Sequence, residues 1–199
     1  MKKLAIFSVL LFSIVTVGMS TASAHVEVQL RGYSSTAGDE SMIWLRAEHG
    51  CMYNNGMYPT EQLQVTVPNA AGRPIPSNLP GFVATVVDSK KKDSAGVPST
   101  YTVTWKAKNA ASALDGSNYF EVGMITTWSK KPQTFYIPAI QTCHVNANPT
   151  GAMAGMGGMS GTKDLGKPLF LKWIVTTGAV PKDTSDTEYG PAAKFTITK

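Results

Sequence analysis

The chain has 199 residues, 43% of them hydrophobic and 16% charged, with a formal net charge of +5. That apolar fraction supports a packed core in one large domain or two small ones; it excludes a disordered chain, a coiled coil and a collagen-like fibre. Eighteen Gly and 12 Pro, set among many Thr, Val and Ser, point to a β-rich, turn-rich protein.

The first 24 residues read as a secretory signal peptide. Lys2 and Lys3 form a basic start, Leu4 to Val17 is a nearly unbroken apolar run, and Ala22-Ser23-Ala24 is an A-x-A cleavage pattern. Cleavage there leaves a mature chain beginning at His25, with 16 basic and 13 acidic residues and a net charge of +3. So modest a charge argues against a nucleic-acid partner or a membrane surface. No later stretch approaches the roughly 20 apolar residues of a membrane span. The expectation is a periplasmic or secreted protein with no membrane insertion after cleavage.

Strand patterns dominate the mature chain. Val26, Val28 and Leu30 alternate with Glu27, Gln29 and Arg31, the period of a half-buried strand. Further strands are predicted over Met42–Ala47, Leu63–Val67, Phe82–Val87, Tyr101–Ala107, Tyr119–Thr127, Phe135–Thr142, Leu169–Thr176 and Phe195–Thr198. Turn clusters separate them, among them Asn54-Asn55-Gly56, Pro68-Asn69, Asn78-Leu79-Pro80-Gly81 and Asp115-Gly116-Ser117-Asn118. Nine short strands without a convincing helix predict an all-β, antiparallel immunoglobulin-like β-sandwich over residues 25–199 as a single domain. Lys90-Lys91-Lys92-Asp93 reads as a solvated hairpin loop, and Trp44, Trp105, Trp128 and Trp173 as sandwich core.

The only two cysteines, Cys51 and Cys143, are expected to pair in an oxidising compartment. Closing a loop of about 90 residues contributes about 4 kcal/mol in the chain-entropy model. The alternative, two zinc-binding thiolates, matches no zinc spacing.

Three constellations carry chemistry. At the mature start, the free α-amine and imidazole of His25 belong to one residue and can chelate a metal through two nitrogens, an arrangement suited to tetragonal Cu(II). The alternative is that cleavage simply left a histidine there. The second is Glu48-His49-Gly50-Cys51 together with His144 beside Cys143. A Cys51–Cys143 bond draws all three side chains into one neighbourhood, although strand alternation turns His144 away from Cys143. The third is Met153, Met156 and Met159 in a flexible Met/Gly-rich loop at about 149–162. Thioethers are soft ligands suited to Cu(I); the alternatives are a linker with incidental methionines or a sticky patch for a partner. No G-x-S-x-G, H-E-x-x-H or phosphate-cradling loop is present, so no enzyme chemistry is indicated.

Several of these segments together resemble the YcnI-like copper-binding family. They are His25-Val26-Glu27-Val28, Leu45-Arg46-Ala47-Glu48-His49-Gly50-Cys51, Val65-Thr66-Val67-Pro68, Pro80-Gly81-Phe82, Val103-Thr104-Trp105 and Phe135-Tyr136-Ile137-Pro138-Ala139-Ile140-Gln141-Thr142-Cys143. The resemblance spans roughly His25 to Cys143. It implies an exported β-sandwich that binds Cu(II) through an N-terminal histidine brace at His25. The family's carboxylate ligand falls at Glu48 or His49, and its tryptophan near Ile137, which is not aromatic. The Met-rich loop lies outside the match.

The expectation is therefore a non-enzymatic copper protein that buffers, stores or hands over copper, with another periplasmic copper-trafficking protein as its partner. Candidate metal ligands are His25, Glu48, His49 and His144 for Cu(II), and Met153, Met156 and Met159 for Cu(I). One alternative is a copper-dependent enzyme like the lytic polysaccharide monooxygenases, which share a histidine brace. The other is a metal-free sandwich that binds a partner through the methionine loop.

Overall fold

A computed structural model describes residues 26–145 and 166–199. Fourteen strands are present among them, with two single-turn 3-10 segments and no α-helix. Four strands form one sheet in the order β1 (Glu27–Gln29), β2 (Glu40–Ala47), β9 (Phe120–Thr127), β6 (Ile75–Pro76). Six form the other in the order β13 (Thr187–Pro191), β12 (Pro168–Val175), β11 (Ala139–His144), β5 (Thr60–Pro68), β8 (Thr100–Ala107), β7 (Phe82–Asp88). Two smaller pairs complete the fold: β10 (Gln133–Ile137) with β14 (Ala193–Ile197), and the hairpin β3 (Cys51–Tyr53) with β4 (Gly56–Tyr58).

Alternation produces the sandwich. In β2, Ile43, Leu45 and Ala47 are fully buried, whereas Met42, Trp44 and Arg46 face outward. Leu63, Val65 and Val67 of β5 and Val103 and Trp105 of β8 do the same from the opposite sheet. The inward residues form one hydrophobic core. Trp128 stacks on Phe195 with ring centroids 4.7 Å apart, and its indole N–H donates to Ser34 O at 2.8 Å. Trp105 buries its ring likewise and donates to Ser77 O at 3.0 Å. A buried indole keeps its polar handle satisfied in this way.

Several sequence expectations need correction. The run Phe135–Thr142 is two strands, because Pro138 lacks a ladder donor and breaks it. Residues before it pair with β14; those after it pair with β12 and β5 in the large sheet. The first strand ends at Gln29, since Arg31 and Gly32 take positive φ (50° and 89°) in a tight turn. The Asn54-Asn55-Gly56 cluster is more than a turn, for it closes the β3–β4 hairpin. Asn54 and Asn55 both have positive φ, the geometry of the type I′ turn that joins two short strands. Strand β13 runs parallel to β12, the exception to the antiparallel plan, and Gly190-Pro191 masks it in the sequence. Trp44 is not core: it lies flat on the outer face between Gly123 and the Arg31 guanidinium, 4.6 Å from its ring.

The Lys90–Asp93 cluster does lie in an exposed β7–β8 loop. There Asp93 Oδ1 accepts from the N–H groups of Ala95 and Val97, both at 2.9 Å.

Candidate functional site

Cys51 and Cys143 are joined, with their Cα atoms 6.0 Å apart, and both are buried. The bond ties the start of β3 to the inner face of β11, locking the His49-Gly50-Cys51 segment to the end of the large sheet. Two further contacts hold this segment. Gln141, fully buried one turn of the pleat from Cys143, donates through Nε2 to His49 O at 2.8 Å and to Thr60 Oγ1 at 2.6 Å. Gly50 N donates to Gly116 O at 2.8 Å. Only glycine fits there, because a Cβ on Gly50 would sit 2.1 Å from Tyr58 O and 2.6 Å from Gly116 Cα.

That clamp leaves Glu48 exposed and His49 half-buried at the end of β2. His49 Nδ1 lies 2.6 Å from Gly50 O. A carbonyl only accepts, so Nδ1 donates, and in the neutral ring Nε2 is then the nitrogen whose lone pair a metal would take.

His144 sits on the opposite face of β11 from Cys143, as strand alternation requires. Its Nδ1 is 2.7 Å from Glu61 Oε2. Sequence reasoning missed Glu61. The register of β11 against β5 pairs Thr142 with Gln62 and Cys143 with Thr60, so Glu61 is the extra residue of a bulge. No period-two pattern would have aimed it at a histidine. Thus the disulfide draws His49 and His144 into one region, but the sheet itself separates their faces.

A cleft of about 160 Å³ opens beside the disulfide, lined by Met52, Phe170, Asp183, Asp186 and Glu188 among others. Its aspartates hold their own loop: Asp183 Oδ1 accepts from Tyr189 N, and Asp186 Oδ1 from the Thr184 hydroxyl, both at 2.8 Å. The Thr184 hydrogen bond is the main cause that holds the Asp186 carboxyl below its ordinary value, with Lys167 assisting against some desolvation.

No group of three or more His, Cys, Asp or Glu side chains converges to hold a metal among the described residues. His25, Met153, Met156 and Met159 lie outside the described residues. Ile137, near which the resemblance implies a tryptophan, is fully buried in β10. Trp173 is buried opposite Ala139 on β12, two pairs along the ladder from Gln141.

No protein-family model and no curated protein matches this chain. Among solved structures, a crystal structure of an uncharacterized protein from Nocardia farcinica, described as having an immunoglobulin-like fold, is similar. The TM-score is 0.53 at 18% identity, and the match covers 89% of this chain and 100% of that one. The fold and the disulfide define this chain as an immunoglobulin-like β-sandwich stapled by one cross-sheet bridge.

Proposed function

We propose that the chain is an exported copper-binding protein that buffers, stores or hands over copper and is not an enzyme. The observation that carries this reading is the register of β1 on β2. Glu27 pairs with Arg46 and Val28 with Leu45, so the chain ahead of Glu27 runs toward Glu48 and His49. Val26 is buried and anchors that end. Only one peptide unit, about 3.8 Å between Cα atoms, separates Val26 from His25.

His25 in this reading supplies its α-amine and imidazole once the signal peptide is removed at Ala24. Glu48, or His49 through Nε2, completes the Cu(II) site. The clamp on His49-Gly50-Cys51 favours binding because these ligands are held before the metal arrives. A buried disulfide is in keeping with a periplasmic or secreted location. Among the described residues, no helix is long and apolar enough to cross a membrane. Met153, Met156 and Met159 form a separate Cu(I) site in this proposal, and a second copper-trafficking protein is the exchange partner. His144, tied to Glu61 on the other face of β11, is left out of the Cu(II) site.

The test is Cu(II) titration followed by electron paramagnetic resonance on two chains. One begins at a signal-processed His25, and the other carries an additional N-terminal Met that blocks the amine. A nitrogen-rich tetragonal spectrum confined to the first supports the proposal. Equal binding by both chains, or none by either, overturns it. Unchanged Cu(I) affinity after replacing all three methionines removes the second site.

A further inference from the structure

A single apolar side chain on a protein surface needs no explanation, but two soft donors set face to face do. The hairpin β3–β4 places two thioethers that way. Its register pairs Cys51 with Tyr58, Met52 with Met57 and Tyr53 with Gly56. In a two-residue type I′ hairpin the pair next to the turn exchanges backbone hydrogen bonds, so Tyr53–Gly56 is a bonded pair and Met52–Met57 is not. Non-hydrogen-bonded partners stand closest, with Cα atoms about 4.5 Å apart and side chains on one face. The rotatable bonds of each methionine then let the two sulfur atoms converge.

The two faces of this hairpin differ in character. Cys51 and Tyr58 are buried in the core, and Tyr53 meets Tyr58 edge to face with ring centroids 6.4 Å apart. Alternation puts Met52 and Met57 on the other face, where Met52 is 49% exposed and Met57 half-buried. An ion can therefore reach the thioethers from solvent, while their backbone is fixed at both ends. At the base, the Cys51–Cys143 bond and the buried Tyr58 hold it; at the tip, Asn54 and Asn55 close the turn at positive φ (45° and 62°). Ligands held on a rigid element lose little freedom when an ion arrives. Charge favours a cation as well, because Met52 lines the cleft beside the disulfide together with Asp183, Asp186 and Glu188. The Lys167 ammonium nearby is engaged over the Tyr53 ring at 5.3 Å. The other two described methionines are arranged differently: Met124 is buried in the core, and Met42 lies on the outer face of β2.

We propose that Met52 and Met57 form a thioether site for a soft monovalent metal ion, of the class of Cu(I) and Ag(I). Thioether sulfur is a soft donor that suits Cu(I), whereas carboxylate and carbonyl oxygens suit harder ions. The carboxylates of the cleft raise the local concentration of cations without entering the ligand set. Neither the His25 amine nor Met153, Met156 and Met159 takes part, so this site stands apart from both sites of the proposed function.

The test uses the signal-processed chain with Met153, Met156 and Met159 all replaced by Leu and its methionine methyl groups labelled with carbon-13. Ag(I), a diamagnetic stand-in for Cu(I), is titrated in and followed by nuclear magnetic resonance. The Met52 and Met57 methyl resonances are expected to move together and to saturate at one equivalent. Those of Met42 and Met124 are expected to stay in place, and Zn(II) is expected to move neither Met52 nor Met57. Met52→Leu and Met57→Leu keep an apolar side chain in the hairpin, and the unmoved Met124 resonance reports that each variant is folded. Each is expected to weaken Ag(I) binding at least about tenfold, the scale on which even a residue behind a metal ligand matters. A stationary Met52 or Met57 resonance, an equal response to Zn(II), or a folded Met57→Leu chain that binds Ag(I) as tightly as its parent overturns the proposal. With the three other methionines gone, and with Cu(II) binding at His25 read separately by electron paramagnetic resonance, a negative result bears on the hairpin alone.

Discussion

Replacing Gln141 with Leu tests whether the clamp on the His49-Gly50-Cys51 segment is energetic or incidental. The substitution keeps the volume and removes both hydrogen bonds that Nε2 makes, to His49 O at 2.8 Å and Thr60 Oγ1 at 2.6 Å. Stranding the His49 carbonyl costs about 1–3 kcal/mol. An offset works the other way, because Gln141 Oε1 has no partner and its removal recovers about 1 kcal/mol. The Thr60 hydroxyl also loses a donor, and the net expectation is a loss of about 2 kcal/mol. For a domain of this size that lowers Tm by about 4–8 °C. Urea unfolding with the disulfide intact measures the first quantity and calorimetry the second. Amide exchange should quicken at Gly50 and Cys51 before it does at Leu63 or Val65 in the core. A Gln141→Leu variant as stable as the parent, with no change at those amides, would refute the reasoning. Gln141→Glu should be worse than Leu, since it places a carboxylate where burial is complete.

Gly50→Ala forces a methyl against backbone on two sides, and denaturant unfolding should register a loss of roughly 3 kcal/mol or more; a loss below about 1 kcal/mol would mean the strands part easily. Removing the bridge with Cys51→Ala and Cys143→Ala together opens a 92-residue separation and should cost about 4–5 kcal/mol by the loop-entropy model, read as a shifted urea midpoint under oxidising conditions. The Asp186 carboxyl is held below its ordinary value of 3.8, so its interactions contribute above that pH and are lost as pH falls through the lowered folded value. A carboxyl titration by nuclear magnetic resonance should show it, and Thr184→Val should return Asp186 toward the ordinary range; an unmoved midpoint in that variant would discount the Thr184 hydroxyl as its main cause. Gly123→Ala places a methyl 3.0–3.2 Å from the Trp44 ring, a side chain on the outer face that can tilt, so its cost should stay well below that of Gly50→Ala in the same unfolding assay.

What could be read from the chain itself was local. Period-two alternation locates β2, β5, β8, β9 and β12 because each strand hides one face, and that pattern is written in the residues of the strand alone. The pairing of Cys51 with Cys143 was legible for a different reason: two cysteines, once an oxidising compartment is expected, leave one connectivity. The Asp115 turn was legible too, since its carboxylate accepts from Ser117 N and Oγ a few atoms away.

Everything that depends on which strand lies beside which was decided by the tertiary structure. The run Phe135–Thr142 reads as one strand in the sequence, and only the structure shows that it breaks at Pro138 and that the chain changes sheets there. Glu61 meets His144 only because a bulge shifts β5 by one residue against β11, and a shift of one residue reverses the face a side chain occupies. Gln141 could be seen in the sequence as part of a motif, yet its partner, a carbonyl 92 residues earlier, emerges only when β11 is seated over the disulfide. The edge position of β7 is likewise a property of strand order, because its residues alternate like those of any interior strand. Sequence records which face of each element avoids water; the register between distant elements determines which polar groups meet, and that register is settled by the packing of the whole sandwich.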